Sequence, residues 1–214
     1  MNLYKYMKSE HAEKFLKNGT LRIGTLYNFQ ESEKFNAAIA DKHEGCHFPI
    51  MEIEGTIFGR ELSVAQKEFL GDGFTVAPDI SITGLRVEKR IYTNNLYIFC
   101  LTTEPSKKAM EEFECDVCLE ITNPNALFRS ITRKMRDKTD RLEWHGSITY
   151  MNKSYPFHKE IHDHPATTKD EKYLYQKEYR AIWLPKKSIS SDAQISPLFV
   201  RVPKIIKYCR IHTF

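Results

Sequence analysis

The most chemically loaded stretch of this 214-residue chain is Leu174-Tyr175-Gln176-Lys177-Glu178-Tyr179-Arg180-Ala181-Ile182-Trp183. As a strand it puts residues two apart on one face, about 6.6–6.8 Å from each other. Gln176, Glu178 and Arg180 then project together as an amide, a carboxylate and a guanidinium, while Tyr175, Tyr179 and Trp183 cover the opposite side. Such a row is costly to bury unless its members are paired. An edge strand with a solvated Glu–Arg pair would carry the same residues, and surface charge is common. Lys5 sits on the otherwise apolar face Leu3/Lys5/Met7, which calls for snorkelling or an anionic partner. Tyr27 and Phe29 offer a flat surface for a ring, or ordinary core packing.

Other clusters have the composition of metal or phosphate sites. His43-Glu44-Gly45-Cys46-His47 satisfies H-E-x-x-H, which on a helix would bind zinc through both imidazoles while Glu44 activates water. Gly45 lies inside that supposed helix, Pro49 ends it, and no third ligand follows at a familiar spacing, so no metal is expected. Cys115 and Cys118 form a C-x-x-C in an apparent strand, where residues three apart face opposite ways and read as buried thiols. His158, His162 and His164 fall in a segment without periodicity and fit solvated histidines equally well. Arg129, Arg133, Lys134, Arg136, Lys138 and Arg141 form a basic helix and flank, either a solvated face or a track for the phosphates of a nucleic acid.

The elements that must position these residues alternate between short helices and many strands. Leu3–Met7 reads as a strand, Ser9 as the cap of a short helix with the stripe Ala12, Phe15 and Leu16, and Asn18-Gly19 as its stop before a strand over Thr20–Gly24. Tyr27–Asp41 reads as a loop or irregular helix, His47–Phe58 as extended, and Ser63–Leu70 as a short helix. Ile80–Arg90 and Asn95–Thr103 read as strands joined at Thr93-Asn94-Asn95, and Glu114–Thr122 as another. Pro124 opens a helix through about Lys138. Arg141–Met151, Lys172–Leu184, Leu198–Val202 and Ile205–Ile211 read as strands, with Asn152–Asp170 an exposed loop. The layout predicts an α+β fold without the regular alternation of a doubly wound sheet.

Composition bounds the rest. A hydrophobic fraction of 41% with 12% aromatic residues supports a packed interior and excludes a disordered chain. No apolar run approaches the roughly 18–20 residues of a membrane span. Met1-Asn2-Leu3-Tyr4-Lys5 lacks the pattern of a secretory signal, and an odd count of five scattered cysteines does not form a disulfide framework, so a reducing cytoplasm is expected. The net charge of +4 permits a polyanionic partner without requiring one. With no repeat or linker to divide it, residues 1–214 are expected to form a single domain.

Together the landmarks resemble the ADP-ribosyltransferase fold: L-Y-basic, a short helix, G-x-L-R, an aromatic pair, and far downstream a strand bearing Y-Q-x-E. They are similar, more narrowly, to an uncharacterised bacterial family found in phage-defence and toxin settings, with the layout L-Y-x-Y, F-N-D-P-x-E-G and Y-x-x-E-W-R. Here the loop motif appears as Phe35-Asn36 with a delayed Asp41-Lys42-His43-Glu44-Gly45, and the closing motif as Tyr175 to Arg180. The resemblance implies a central split sheet with short flanking helices and an NAD-dependent ADP-ribosyltransferase, a toxin-type effector of antiviral defence. Glu178 and Gln176 fall on the catalytic strand, Lys5 where the family holds NAD with His or Arg, Tyr27 and Phe29 at the position that stacks on nicotinamide, and Thr102-Thr103, Thr103 above all, near the Ser-Thr-Ser signature. The partners implied are NAD as co-substrate, a macromolecular acceptor (nucleic acid or protein) and an antitoxin protein, with no membrane. A fixed carboxylate would stabilise the cationic ribose as nicotinamide departs, which suits Glu178, and Gln176 would orient the nucleophile without ionising.

Overall fold

The computed structural model describes residues 1–30, 41–186 and 195–214. It opens with β1 (Leu3–Met7), α1 (Ser9–Asn18) and β2 (Thr20–Thr25), then a 3₁₀ turn at Tyr27–Gln30. The next group is β3 (Cys46–Phe58), α2 (Val64–Leu70), β4 (Ser81–Glu88), β5 (Ile91–Tyr92) and β6 (Tyr97–Thr102). After these come α3 (Lys107–Glu112), β7 (Val117–Ile121), α4 (Pro124–Met135), β8 (Thr139–Ser147), β9 (Thr149–Met151) and β10 (Ser154–Pro156). β11 (Thr168–Asp170), a 3₁₀ segment at Glu171–Gln176, β12 (Glu178–Pro185), β13 (Leu198–Arg201) and β14 (Cys209–His212) complete the chain. The fold is α+β, built mostly from antiparallel strands, with parallel pairing of β3 with β10 and of β9 with β11.

Local chemistry accounts for most element ends. Gly19 stops α1 in the left-handed region at φ +75°, with its N–H donated to the Phe15 carbonyl. Asn123 caps α4 by accepting from the Ala126 N–H, with Pro124 in the first turn as its fixed φ favours. Ser9 does not cap α1. Lys8 occupies that position, and the Ser9 hydroxyl donates instead to Asp116 at 2.6 Å, tying the helix to the approach to β7. The basic helix ends at Met135 rather than Lys138. α3, which the sequence pattern does not predict, is short and starts on Ser106, whose hydroxyl accepts from the Ala109 N–H.

The main sheet has the order β13-β2-β6-β1-β7-β14, with β12 on the other edge of β6 and β8 outside β12. β12 is therefore a central strand. One sheet face alternates inward through Tyr97, Phe99 and Leu101 on β6 and Tyr179, Ala181 and Trp183 on β12, where it meets Phe15 of α1 and Leu127, Phe128 and Ile131 of α4. The indole of Trp183 donates to the Thr132 hydroxyl at 2.8 Å, satisfying its one polar atom in that core. The opposite face carries Ile98 and Ile182 against Leu26, Leu96 and Ala166, with Cys100 at the rim of that cluster. β3, β4, β5 and β10 form a second, smaller sheet.

β6 holds the feature that positions the site. Along one edge it pairs with β12 throughout, from Glu178 opposite Thr102 to Trp183 opposite Tyr97. Along the other edge β2 pairs only at Ile98 and Tyr97, and β1 only at Thr102. The two strands diverge over Phe99–Leu101, and the sheet splits there.

Gly19 gives a test of the turn that closes the first helix. A Cβ there would lie 2.5 Å from the Pro203 nitrogen and 2.6 Å from the Val202 carbonyl carbon. Both are backbone atoms that cannot swing aside, and the φ is unfavourable to any side chain. Gly19→Ala is expected to cost roughly 2–4 kcal/mol, lowering the thermal midpoint by on the order of 10 °C. A melt within 2 °C of wild type would contradict this account of the turn.

Candidate active site

A cleft of about 740 Å³ opens at the split, within the roughly 300–1,000 Å³ typical of ligand pockets. Tyr4–Lys8 and Thr20–Arg22 form its walls, Ile98–Thr102 its spine, and Lys169, Gln176, Glu178, Arg180 and Glu44 one end. Glu178 and Arg180 share a face of β12 as the alternation predicts, and neither is solvated: they are 6% and 2% exposed. Arg180 Nε donates to Glu178 Oε1 at 2.7 Å, while its Nη1 donates to Glu44 Oε1 at 2.9 Å and to the Ala166 carbonyl at 2.6 Å. The solvated edge-strand alternative does not describe this strand.

Gln176 reaches the group by a different route from the one its spacing implies. Residues Glu171–Gln176 form a 3₁₀ segment instead of strand, and Lys177 turns the chain through the left-handed region at φ 45° before β12 begins. Tyr175 consequently lies exposed instead of on the covered face with Tyr179 and Trp183. Lys169, 5% exposed, brings amide and carboxylate together: its Nζ donates to Gln176 Oε1 at 2.7 Å and to Glu178 Oε2 at 3.1 Å. The threonines at the end of β6 secure the same turn. Thr102 Oγ1 lies 2.8 Å from the Gln176 carbonyl, and the Thr103 N–H donates to the Lys177 carbonyl at 3.0 Å.

The electrostatics follow from burial opposed by pairing. Burial pushes the Glu178 carboxyl up, but Arg180 and Lys169 more than reverse it and hold it well below the ordinary carboxylate range. Burial works against the Lys169 ammonium and the Arg180 guanidinium too, and Glu178 with Glu44 keeps both charged. The Cys100 thiol, buried and beside Glu178, is pushed up to about 12 and stays protonated at neutral pH. Lys5, Lys8, Lys14 and Arg22 line the cleft together with Glu10 and Glu114, and Asp116 lies near Lys8.

The other sequence candidates divide. Lys5 lies in the split, with Nζ donating to the Cys100 carbonyl at 2.8 Å and lying 5.1 Å from the Phe99 ring centre. Phe29 lines the cleft, packed so closely on Gly24 that a Cβ there would meet its ring at 3.0 Å. Tyr27 is not among the lining residues: it packs at the edge of the Leu26 cluster, with its hydroxyl donating to the Thr93 carbonyl at 3.0 Å. Thr103 also lies outside the lining, where Thr102 takes part. Phe35 and Asn36 are outside the described residues.

His43 and Glu44 occupy a turn and His47 lies in β3, so H-E-x-x-H forms no helical face; Glu44 instead serves Arg180, and His47 Nε2 lies 2.8 Å from Thr168 Oγ1. Among the described residues no group of three or more His, Cys, Asp or Glu is arranged to hold a metal. All five cysteines are free, and His158, His162 and His164 are exposed. The basic residues Arg129, Arg133 and Lys134 are exposed on α4, which packs on the sheet face opposite Glu178. No described helix is long and apolar enough to cross a membrane.

The sequence does not reveal Lys169 or Glu44 as members of this group. Both fall in stretches without periodicity, and Asn152–Asp170, expected to be an exposed loop, contains β10, β11 and the buried Lys153 and Lys169. Lys153 makes a second buried pair with Asp41 at 3.1 Å and donates to the His43 carbonyl at 2.7 Å, fixing the turn that presents Glu44. No protein-family model, curated protein or solved structure matches the chain.

Two stability measurements test this network. Arg180→Met strands Glu178 and Glu44 with half their counter-charge and is expected to cost roughly 3–5 kcal/mol in urea unfolding at pH 7; a loss under 1 kcal/mol would contradict it. The second is acid unfolding. Glu178, and Asp41 (where burial is likewise outweighed by Lys153), titrate lower folded than unfolded. Their contribution is thus complete above about pH 5 and drains as pH falls below the ordinary values of 4.5 and 3.8. Stability rising on acidification through that window would reverse the sign.

Proposed function

We propose that this protein is an NAD-dependent ADP-ribosyltransferase, a toxin-type effector that transfers ADP-ribose to a macromolecular acceptor and releases nicotinamide. One observation carries the reading: the split beside β6 opens a ligand-sized cleft whose end holds an ionised, immobilised Glu178 next to Gln176. In the reaction the nicotinamide–ribose C–N bond breaks and its electron pair leaves with the now neutral nicotinamide. The ribose carbon, left cationic, accepts a lone pair from the acceptor's nucleophile, which gives its proton to solvent. A carboxylate that is already charged and fixed stabilises that cation without reorganising. Glu178 fills this role, and Gln176 lies beside it to orient the nucleophile.

Lys5, Lys8 and Lys14 along the cleft suit the pyrophosphate of NAD, and Phe29 lines the same cleft as an aromatic side chain. The acceptor, whether nucleic acid or protein, must approach the cleft side of the sheet. The basic face of α4 lies on the other side, so an acceptor touching both would have to wrap around the sheet edge.

Nicotinamide release from labelled NAD, alone and with cell-derived protein and nucleic acid, tests the reading. Glu178→Gln, which keeps the shape and removes the charge, is expected to lower release at least about a hundredfold while NAD affinity changes less than threefold. Phe29→Ala is expected to raise KM for NAD more than it lowers kcat. Absence of release by folded wild-type protein with every acceptor fraction, or full activity in Glu178→Gln, would sink the proposal.

A further inference from the structure

The smallest sheet among the described residues is β9 with β11, three residues each, paired in parallel with Thr168 opposite Thr149, Lys169 opposite Tyr150 and Asp170 opposite Met151. Its two middle residues both grip Glu178. Tyr150 accepts the Glu178 backbone N–H on its hydroxyl at 2.8 Å, and Lys169 donates to the Glu178 carboxylate at 3.1 Å. Main chain and side chain of one residue are thus fixed from a single pair of cross-strand partners.

Lys169 does more than neutralise a charge. A buried ammonium needs acceptors for its hydrogens, and this one has three neighbours: Glu178 Oε2, Gln176 Oε1 and the face of Tyr173, whose ring centre lies 4.8 Å from Nζ. Because an ammonium can only donate, it fixes that the oxygen and not the NH2 of the Gln176 amide faces it, as well as where the carboxylate sits. Salt-bridged burial is a poor device for stability alone, since a close-packed apolar replacement is often as stable or more so. Arg180 is shared between Glu178 and Glu44, so Lys169 completes the charge balance of the group, and unlike Arg180 it also ties Gln176 to Glu178.

We infer that the β9–β11 ribbon is the positioning device of the site, with Lys169 a positioning residue that binds Gln176 and Glu178 to one ammonium and Tyr150 a second that anchors the Glu178 backbone. This rests on the proposed role of Glu178 in the transferase reaction. Lys169 acts through its two partners. Misplacing a reacting group by about 1 Å costs on the order of a hundredfold in rate, so the ribbon sets kcat and has little influence on NAD affinity.

A pH signature separates this role from simple support. The groups facing Glu178 are Arg180 on β12, Lys169 on β11, the protonated Cys100 thiol on β6 and the Tyr150 hydroxyl on β9; Glu44 acts at one remove through Arg180, and Lys5 on β1 donates to the Cys100 carbonyl. Removing the Lys169 charge leaves Arg180 alone to oppose the effect of burial, so the carboxyl takes up a proton at higher pH.

The experiment compares full-length wild type, Lys169→Met, Lys169→Arg and Tyr150→Phe in nicotinamide release from labelled NAD between pH 5 and 8, alongside the ¹³C NMR titration of the Glu178 carboxyl. Lys169→Met is expected to lose about a hundredfold in kcat at pH 7.5 with KM changed less than threefold. It should lose a further tenfold on going to pH 5.5, where wild type loses less than twofold. Lys169→Arg, which restores the charge, should recover at least tenfold and remove the acid limb. Tyr150→Phe should lose about tenfold in kcat without acquiring that limb. If Lys169→Met fails to fold, Tyr150→Phe carries the test: wild-type kcat in that variant would overturn the inference. So would a folded Lys169→Met with wild-type kcat and an unchanged Glu178 titration. A wild type that releases no nicotinamide would sink the transferase reading itself, and the NMR titration then decides separately whether Lys169 holds the Glu178 carboxylate.

Discussion

A carboxylate kept ionised out of reach of bulk water is the constraint around which this molecule is arranged. Glu178 stands on a central strand, where a lone negative charge would take up a proton instead of staying charged. Arg180, two residues along the same face, supplies one cation, but its fork carries more donors than one carboxylate can use. Glu44 and the Ala166 carbonyl take the remainder, which draws the turn before β3 and the segment before β11 onto the sheet. Lys169 supplies the second cation and brings Gln176 with it. These polar contacts tie the turn at residues 41–45 and the β9–β11 ribbon to the main sheet, and among the described residues no buried side-chain nitrogen or oxygen lacks a partner.

The split in the sheet is the complementary feature. A strand whose edge loses its neighbour leaves backbone groups without ladder partners, and these need another donor or water. Lys5 meets part of that need: its ammonium reaches the Cys100 carbonyl from a strand face otherwise occupied by Leu3 and Met7. A lysine on an apolar strand face, an anomaly in the sequence, is thus explained by an opening in the fold. The opening places the edge of β6 and the charged end of β12 in one cavity, which neither strand would create alone.

Much of the scaffold is legible in the chain because it depends on local rules. Period-two alternation identifies β1 and β12, a β-rich apolar run after the turn at Thr93-Asn94-Asn95 identifies β6, and Asn18-Gly19 and Pro124 mark helix ends by backbone preference. The pairing of Glu178 with Arg180 follows from spacing alone. What is not legible depends on contacts between residues distant in sequence. Nothing near Lys169 or Glu44 marks either as buried, because each is buried by its partner and not by a periodic apolar face; Glu44 and Arg180 are 136 residues apart. The same applies to Ser9, which has the character of a cap but is claimed by Asp116. The Lys172–Leu184 stretch shows the opposite error. Its alternation through Gln176 is real in the letters, yet the left-handed Lys177 breaks the strand there, and only the shared ammonium returns Gln176 to the side of Glu178.

That break is itself informative about what the end of the cleft can do. Had Gln176 simply continued β12, its side chain would stand about 6.6–6.8 Å from Glu178 along the pleat, with no reason for the two to share a donor. Instead the turn is secured at several points: Thr102 and Thr103 on its carbonyls, Tyr150 on the first strand N–H, and Lys169 on the two side chains. A left-handed non-glycine residue carries a conformational cost of roughly 1–2 kcal/mol, and it persists where the surroundings over-determine it. Here Thr102, Thr103 and Tyr150 hold the backbone of residues 176–178, and Lys169 holds the amide and the carboxylate that this backbone carries. In the proposed reaction those two groups must act on opposite partners, the departing ribose cation and the arriving nucleophile, and their mutual placement matters more than the position of either one. The ends of β6 and β12 and the β9–β11 ribbon meet at this turn, so the elements most heavily committed to it are the ones that would set that placement.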